Sequence, residues 1–327
     1  MRLRKLLAVT ATTLVPLAAA VLVLGTARPA AAQEEVQDEG AAYRAWYAAS
    51  QAKETAKAIE AAHAYLKQYP TGQYADFLKK WLVQANMAAL DAAIKEKRTA
   101  DVVKVGKDIL AGEPDNLNVL YALAFNIRRN ELLASPASYE NMATAVDSSK
   151  KAIALIESGK TPGGAPAFDK NAALAWLTQI LAMAEARGGS PAEAIKLYEK
   201  STSLAPQDPQ VAGRNMLAVL AMRQSSYADA ARAYNTLPDA AKAAAEPSPD
   251  VKAARERINT EADALIECAA GFVAFAKVKN LPAATREKVN QTLEAVYKAR
   301  HPEDGPLAGL QKILQEKEQA LGAAPGA

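Results

Sequence analysis

Apolar residues recur at spacings of three and four positions through most of the chain, and no segment alternates with period two. Spacings of three and four place apolar side chains on one face of an α-helix, whereas strict alternation indicates a strand. Alanine is abundant in these segments; it is the best helix former and is depleted in strands. The pattern therefore predicts an all-α protein.

Prolines divide this pattern at places where a helix must end or begin, because proline lacks a backbone N–H and clashes with the preceding turn. Two segments between the helices are rich in glycine or proline and predict loops, 158–168 and 238–250. The predicted helices cover 41–69, 73–96, 99–111, 116–133, 137–158, 168–187, 191–204, 209–223, 226–236, 249–278, 282–299 and 305–321.

Two neighbouring segments repeat with a displacement of 36 residues. The first reads AIKLYEK from position 194 and reaches Leu-Ala-Pro at 204–206, and the second reads AARAYN from position 230 and reaches Leu-Pro at 237–238. A period of this length is typical of stacked helical hairpins, in which one pair cannot bury its own apolar face.

The repeat resembles the second helix of tetratricopeptide repeats, which carries a small residue, an aromatic residue four positions on, and a proline eight positions beyond that. Ala194, Tyr198 and Pro206 match all three positions. In the next copy Ala230 and Tyr234 fit, but the proline comes early. We expect these residues to have a structural role.

The resemblance implies a superhelix of helical hairpins over 41–238, best matched over 172–238, with a C-terminal helical region at 239–327. In this family, residues of the first helix of each pair line a concave groove that binds peptides. The aligned positions are Trp176, Gln179, Met183, Asn215, Val219 and Met222, with Tyr121, Phe125 and Arg128 in an earlier pair.

A second interpretation of these positions stays open, since Trp176, Phe125 and Met183 are also what a helix core would show at this spacing. If the groove interpretation is right, Arg128 and its neighbour Arg129 would hold a carboxylate of the partner. No cofactor is implied by either interpretation.

The segment 65–75 (YLKQYPTGQYA) resembles the Tyr-Pro…Tyr-Ala junction of periplasmic repeat proteins, including envelope-assembly lipoproteins. The lipid-bearing cysteine of those lipoproteins is missing here.

The first residues carry three positive charges in MRLRK, and an uncharged apolar stretch runs from Leu6 to Leu24. This order, followed by small residues at Ala30 and Ala32, predicts a signal peptide at 1–32 that is cleaved before Gln33. An acidic, flexible leader at 33–40 would follow. The mature protein would be periplasmic or extracellular; the alternative is an uncleaved anchor, because the stretch is nearly long enough to span a bilayer.

Cleavage changes the charge balance of the chain. The sequence has 39 basic and 36 acidic side chains; four of the basic ones and none of the acidic ones precede Gln33, which leaves 35 basic residues against 36 acidic ones. A nearly neutral mature chain gives no reason to expect a nucleic-acid partner. Membrane contact is expected only through the signal segment, if it is uncleaved.

Residues for catalysis or metal binding are sparse. A single cysteine, Cys268, excludes an intramolecular disulfide and is expected to be a small apolar core residue. The two histidines, His63 and His301, are far apart, and no zinc spacing or G-x-S-x-G motif occurs. Carboxylates alternate with lysines, as in the segment 193–200, which is typical of solvated helix faces.

The sequence therefore predicts a non-catalytic scaffold of the bacterial cell envelope that binds a protein or peptide on its concave face. Two alternatives remain open at this point. One is a structural accessory subunit of an envelope assembly that binds through its C-terminal helices, and the other is a helical enzyme that acts on cell-wall glycans.

Overall fold

The computed structural model describes residues 30–163 and 168–322, with side chains from Glu39 onward. Every regular element in these residues is helical, which confirms the all-α prediction. The chain forms two compact units, unit 1 up to Phe168 and unit 2 from Asp169. The predicted signal, 1–32, lies outside the described residues except for its last three, with which the first helix begins.

Unit 1 is a succession of helices in which each helix packs against its neighbours in the chain. A π-helical turn, Arg128–Leu132, extends the fifth helix. Helices that are adjacent in the sequence are therefore also neighbours in space. The helices are α1 (Ala30–Gln51), α2 (Thr55–Gln68), α3 (Ala75–Lys95), α4 (Thr99–Gly112), α5 (Leu117–Ile127) and α6 (Met142–Glu157).

The predicted single helix 41–69 is wrong, because α1 and α2 are separated by a tight turn. Lys53 adopts a left-handed conformation in this turn, with φ of 57°, and Lys97 does the same between α3 and α4, with φ of 58°. Such a residue commonly ends a helix, but it is usually glycine or asparagine. A lysine gives no such signal in the sequence. The helix α1 also begins at Ala30, before the start that the apolar pattern indicated.

Unit 2 is organised around one long helix. Its helices are α7 (Lys170–Arg187), α8 (Pro191–Leu204), α9 (Arg214–Asn235), α10 (Asp239–Lys242), α11 (Pro249–Val278), α12 (Ala283–Arg300) and α13 (Ala308–Gly322). The 30-residue helix α11 packs against α9, α12 and α13, while α7 packs against α8 and α8 against α9. A π-helical turn, Pro209–Gly213, leads into α9.

The predicted break between 223 and 226 is also wrong, because α9 is continuous from Arg214 to Asn235. The intervening residues, Gln224 to Ser226, include neither glycine nor proline, so nothing interrupts the backbone hydrogen bonds. Tyr227 packs against the core of unit 2 and fixes the continued helix to it. The second copy of the sequence repeat is therefore one helix, not a pair.

The C-terminal helices share a core with α9. Leu220 of α9, Phe272 of α11, Leu293 of α12 and Leu310 of α13 belong to one buried cluster. The described part of the C-terminal region, 239–322, thus shares the core of unit 2. Among the described helices, none combines the length and the apolar character that a bilayer span requires.

The turn between α12 and α13 is held by Asp304. Its carboxylate accepts hydrogen bonds from the backbone N–H groups of Ala308 (3.0 Å) and Gly309 (2.8 Å) and from the Tyr297 hydroxyl (3.0 Å). The Gly309 N–H contributes most to a lowered pKa of Asp304, and the Tyr297 hydroxyl and the Ala308 N–H add to it. The ionised carboxylate therefore stabilises the first turn of α13.

We expect the stability of unit 2 to fall in acid through this group. Because the folded-state pKa of Asp304 lies below its usual value, the stabilisation is present above the usual aspartate range and is lost as pH falls through the folded-state pKa. Urea unfolding measured between neutral and acid pH should show a smaller pH dependence for Asp304→Asn than for the unchanged protein. Asp115→Asn, which alters an exposed carboxylate of the α4–α5 turn, is the control. Equal pH dependence in all three proteins would contradict this role.

Candidate functional site

The three groove residues predicted in α5 and its extension are placed close together. The rings of Tyr121 and Phe125 are stacked with centroids 6.1 Å apart, and both are partly buried. Arg128, in the π-helical turn, is only 6% exposed, whereas its neighbour Arg129 is exposed. The buried guanidinium of Arg128 is therefore not presented to a partner in this structure.

The predicted groove residues of α7 and α9 lie mostly in the interior of unit 2. Gln179 is 2% exposed and Asn215 is fully buried. Val219 belongs to the buried cluster that contains Tyr198, and Met183 and Met222 are partly buried and pack against this cluster. The buried side-chain amides of Gln179 and Asn215 are therefore not available to a partner in this structure.

Asn215 joins three helices through its side-chain amide. Its Oδ1 accepts a hydrogen bond from Gln179 Nε2 of α7 (2.5 Å), and its Nδ2 donates to α8 at Tyr198 O (3.3 Å), Ser201 Oγ (2.8 Å) and Thr202 Oγ1 (3.2 Å). A buried amide is retained only when such partners satisfy it. These hydrogen bonds hold α7, α8 and α9 together in the interior of unit 2.

The positions that define the repeat are structural where their side chains are buried. Ala194 and Tyr198 lie in the cluster between α7, α8 and α9, and Ala230 is buried on α9. Pro206 is exposed just after the end of α8. Tyr234 is partly buried, and the Nζ of Lys242 lies 5.6 Å from the centre of the Tyr234 ring.

A group of aromatic residues on α1 and α3, which the sequence analysis missed as a site, is the most prominent apolar feature of unit 1. Trp46 lies at its centre, with the ring centroids of Phe77 and Trp81 each 5.3 Å away in edge-to-face contact. Tyr43 stacks on Tyr74 with centroids 3.8 Å apart. We call this group the aromatic surface; its members are Tyr43, Trp46, Tyr47, Tyr74, Phe77 and Trp81.

Two members of the aromatic surface are open to solvent. Phe77 is 51% exposed and Tyr47 is 48% exposed, although Trp46, which contacts both rings, is only 4% exposed. Single exposed apolar residues are common on protein surfaces, whereas groups of them mark candidate interaction sites. Exposed aromatic rings fixed on a buried tryptophan are therefore the best candidate for a binding surface in the described residues.

The turn between α2 and α3 fixes the edge of this surface. Tyr65, which is fully buried, donates a hydrogen bond from its hydroxyl to the Glu39 carboxylate of α1 and accepts one from the backbone N–H of Tyr74 (3.0 Å). The Gln73 N–H donates to the same carboxylate (2.6 Å). Burial, reinforced by Glu39, raises the pKa of Tyr65 to about 12. The junction motif Tyr65 to Ala75 thus ties α1 to the α2–α3 turn.

A shallow groove of about 650 Å³ lies elsewhere in unit 1. Its floor is formed by small residues of α3, including Ala89 and Ala92, and its walls by α2 and α4, which contribute charges of both signs such as Glu60 and Lys104. His63 lies in the α2 wall and is exposed. Mixed charges over an alanine floor do not select a particular ligand, so the groove is a weaker candidate than the aromatic surface.

The remaining chemically active groups are engaged in packing. Burial raises the pKa of the Cys268 thiol to about 11, so the thiol is protonated and weakly nucleophilic at neutral pH. His301 follows the last residue of α12 and contacts the ring of Tyr297, with centroids 4.7 Å apart. Within the described ranges, no three His, Cys, Asp or Glu side chains are grouped as metal ligands would be.

Comparisons of this chain with protein-family models, with curated proteins and with solved structures returned no match. The site is therefore defined by its own geometry, and the aromatic surface is its clearest element.

Proposed function

We propose that this protein is a non-catalytic scaffold of the bacterial cell envelope that binds a protein or peptide partner on the aromatic surface. The observation that carries the proposal is the pair of exposed rings, Tyr47 and Phe77, in contact with the buried ring of Trp46. Rigid aromatic side chains give a large contact area at a small cost in side-chain entropy and are enriched at binding hot spots.

The proposal differs from the groove expected from sequence in the location of the site. The expected positions in unit 2 include two buried amides, whereas the aromatic surface is formed by α1 and α3 of unit 1. If α1–α2 and α3–α4 are read as two repeat units, α1 and α3 are the first helix of each, which is the kind of helix that the resemblance implies for binding. Export to the envelope is supported by the charged and apolar segments before Gln33.

Photo-crosslinking in cells tests this function. A photoreactive amino acid at Gln84, which is exposed on α3 two turns after Phe77, should yield a discrete crosslinked product. Phe77→Ser combined with Tyr47→Ser should reduce that product to the level of the uncrosslinked control, because the apolar contact is removed. Both rings pack on Trp46, so the double substitution should lower the free energy of unfolding by about 1–3 kcal/mol without loss of the fold, which urea unfolding and circular dichroism can verify.

Val278→Ser is the matched control, since Val278 is also an exposed large apolar residue but belongs to unit 2. It lies at the end of α11, so it also tests the alternative in which the C-terminal helices bind an assembly. A product that survives the double substitution in α1 and α3 but is lost in Val278→Ser would favour that alternative. Truncation after Asp250 is unsuitable, because it would remove core residues such as Phe272.

A further inference from the structure

We infer that the groove between α2 and α4 is a second binding site, which takes an extended peptide segment through hydrogen bonds between the segment's backbone and Asn86. The inference goes beyond the proposed function, because the groove shares no lining residue with the aromatic surface. It comes from a buried amide that has no hydrogen-bond partner in the described residues.

Asn86 is a buried polar residue of α3 that lines the groove. Its side chain is 5% exposed and makes no hydrogen bond within the described part of the chain. The other buried amides of that part, Asn126, Gln179 and Asn215, each have a partner. A nearly buried amide without a protein partner is unfavourable, so a ligand that supplies a partner there gains affinity.

The amide of Asn86 is complementary to extended backbone. An asparagine side chain offers an acceptor, Oδ1, and a donor, Nδ2, next to each other. A residue in an extended segment presents one N–H and one C=O toward the same neighbour, which is the matching pair. The interior of an α-helix offers no such pair, because its backbone groups are used in its own hydrogen bonds.

The dimensions of the groove fit a short extended segment. Its floor is formed by the alanine pairs 88–89 and 92–93 of α3, whose small side chains let a main chain approach closely. The α4 wall extends from Arg98 to Asp108, about 15 Å along the helix, which is the length of about four or five extended residues. Its volume of about 650 Å³ is typical of ligand sites.

The walls of the groove do not favour one type of side chain in the ligand. Arg98 and Asp101 form an ion pair with each other. The charges of Glu60, Lys104 and Asp108 have both signs. The backbone is the part of a peptide that does not depend on sequence, so we expect this site to accept segments of varied sequence without a common charge.

Selection of random peptides displayed on phage tests this inference, with the full chain in mild detergent as the target. Each round begins with depletion on the Asn86→Leu chain, which removes peptides that bind elsewhere, including the aromatic surface. A selected peptide should bind the unchanged chain about tenfold or more tightly than Asn86→Leu, measured by fluorescence anisotropy. Asn118→Leu changes an exposed amide of α5 outside the groove and should bind the peptide as the unchanged chain does.

Methylation of the peptide-bond nitrogens, one at a time, tests whether the backbone is recognised, because it removes the N–H donor. Methylation of one bond should weaken binding to the unchanged chain by about tenfold and change binding to Asn86→Leu little, since the N–H and Asn86 form one pair. The midpoint of urea unfolding of Asn86→Leu should be unchanged or raised, because the amide has no partner in the free chain.

The outcomes separate this inference from the proposed function. A selection that yields no peptide after depletion would overturn the inference and leave the aromatic surface as proposed. Tolerance of methylation at every bond, or equal weakening in both chains, would show that Asn86 does not bind the backbone and would overturn it too. A lowered unfolding midpoint of Asn86→Leu would assign the amide to the fold instead. Selection without depletion that gives no peptide dependent on Phe77 would overturn the proposed function alone.

Discussion

Asn215→Ala is expected to lower the free energy of unfolding of unit 2 by about 3 kcal/mol, a large effect for one residue. The substitution removes a fully buried amide that bonds to Gln179 on α7 and to Ser201 and Thr202 on α8. The loss combines broken hydrogen bonds with a small cavity, since the surrounding helices relax only in part. Urea unfolding followed by circular dichroism measures it.

Asn235→Ala is the matched control, because it changes the same residue type at an exposed position at the end of the same helix. It should alter stability by less than about 0.5 kcal/mol. Replacing both Gln179 and Asn215 by leucine should cost less than the sum of the two single leucine substitutions, since neither amide is then left without the other. Strict additivity of the two would show that the amide pair is not a coupled unit.

Gly106→Ala is expected to destabilise unit 1 by about 2 kcal/mol through overpacking. An added Cβ at Gly106 of α4 would lie 2.7 Å from Cδ2 and 2.8 Å from Cγ of Leu123 on α5. Leu123 is fully buried, so its side chain is surrounded by the core. Either this side chain or the helix must shift to admit the added methyl group, and we expect that cost to exceed the gain of about 1 kcal/mol from alanine as the better helix former.

Gly112→Ala provides the contrast on the same helix, because no atom lies within 4 Å of a Cβ added there. Gly112→Ala should be neutral or slightly stabilising, whereas Gly106→Ala should be clearly destabilising. Thermal unfolding of both variants measures the difference. A stabilising effect of Gly106→Ala would mean that α4 and α5 are not in close contact at this point.

The limits of several helices were predictable from sequence where a breaker residue marks them. The helices α8 and α11 have the limits predicted, 191–204 and 249–278, because each starts with a proline directly after a serine. In α11 the Ser248 hydroxyl accepts a hydrogen bond from the Val251 N–H (3.4 Å). Ser190 makes no such bond at the start of α8, so the feature that the two starts share is the fixed backbone angle of the proline, which is visible in the residue type.

The errors arose where the structure departs from those residue types. The α1–α2 turn uses Lys53 in a left-handed conformation, which residue type does not reveal. In α9 the repeat suggested a second helix, but the apolar contact of Tyr227 keeps the helix continuous. In the first case the residue type gives no sign of the turn, and in the second the repeat suggested a break at a place where no residue interrupts the helix.

The first of these errors explains why the aromatic surface was missed. A single helix over 41–69 gives no basis for predicting that Trp46 and Tyr47 lie near Phe77. The break at Lys53 folds α2 back, so that Trp46 of α1 reaches Phe77 and Trp81 of α3. Conversely, Gln179 and Asn215 resemble exposed groove residues in sequence, because nothing local indicates that two amides 36 positions apart bond to each other.

Side-chain footprinting with hydroxyl radicals tests most directly whether the aromatic surface is occupied by a partner. Oxidation is compared between intact cells and the purified chain, with Tyr139 and Val278 as exposed residues outside the surface. We predict that Tyr47 and Phe77 are strongly protected in cells, while Tyr139 and Val278 are oxidised equally in both samples. Equal oxidation of Tyr47 and Phe77 in cells and in the purified chain would contradict the account.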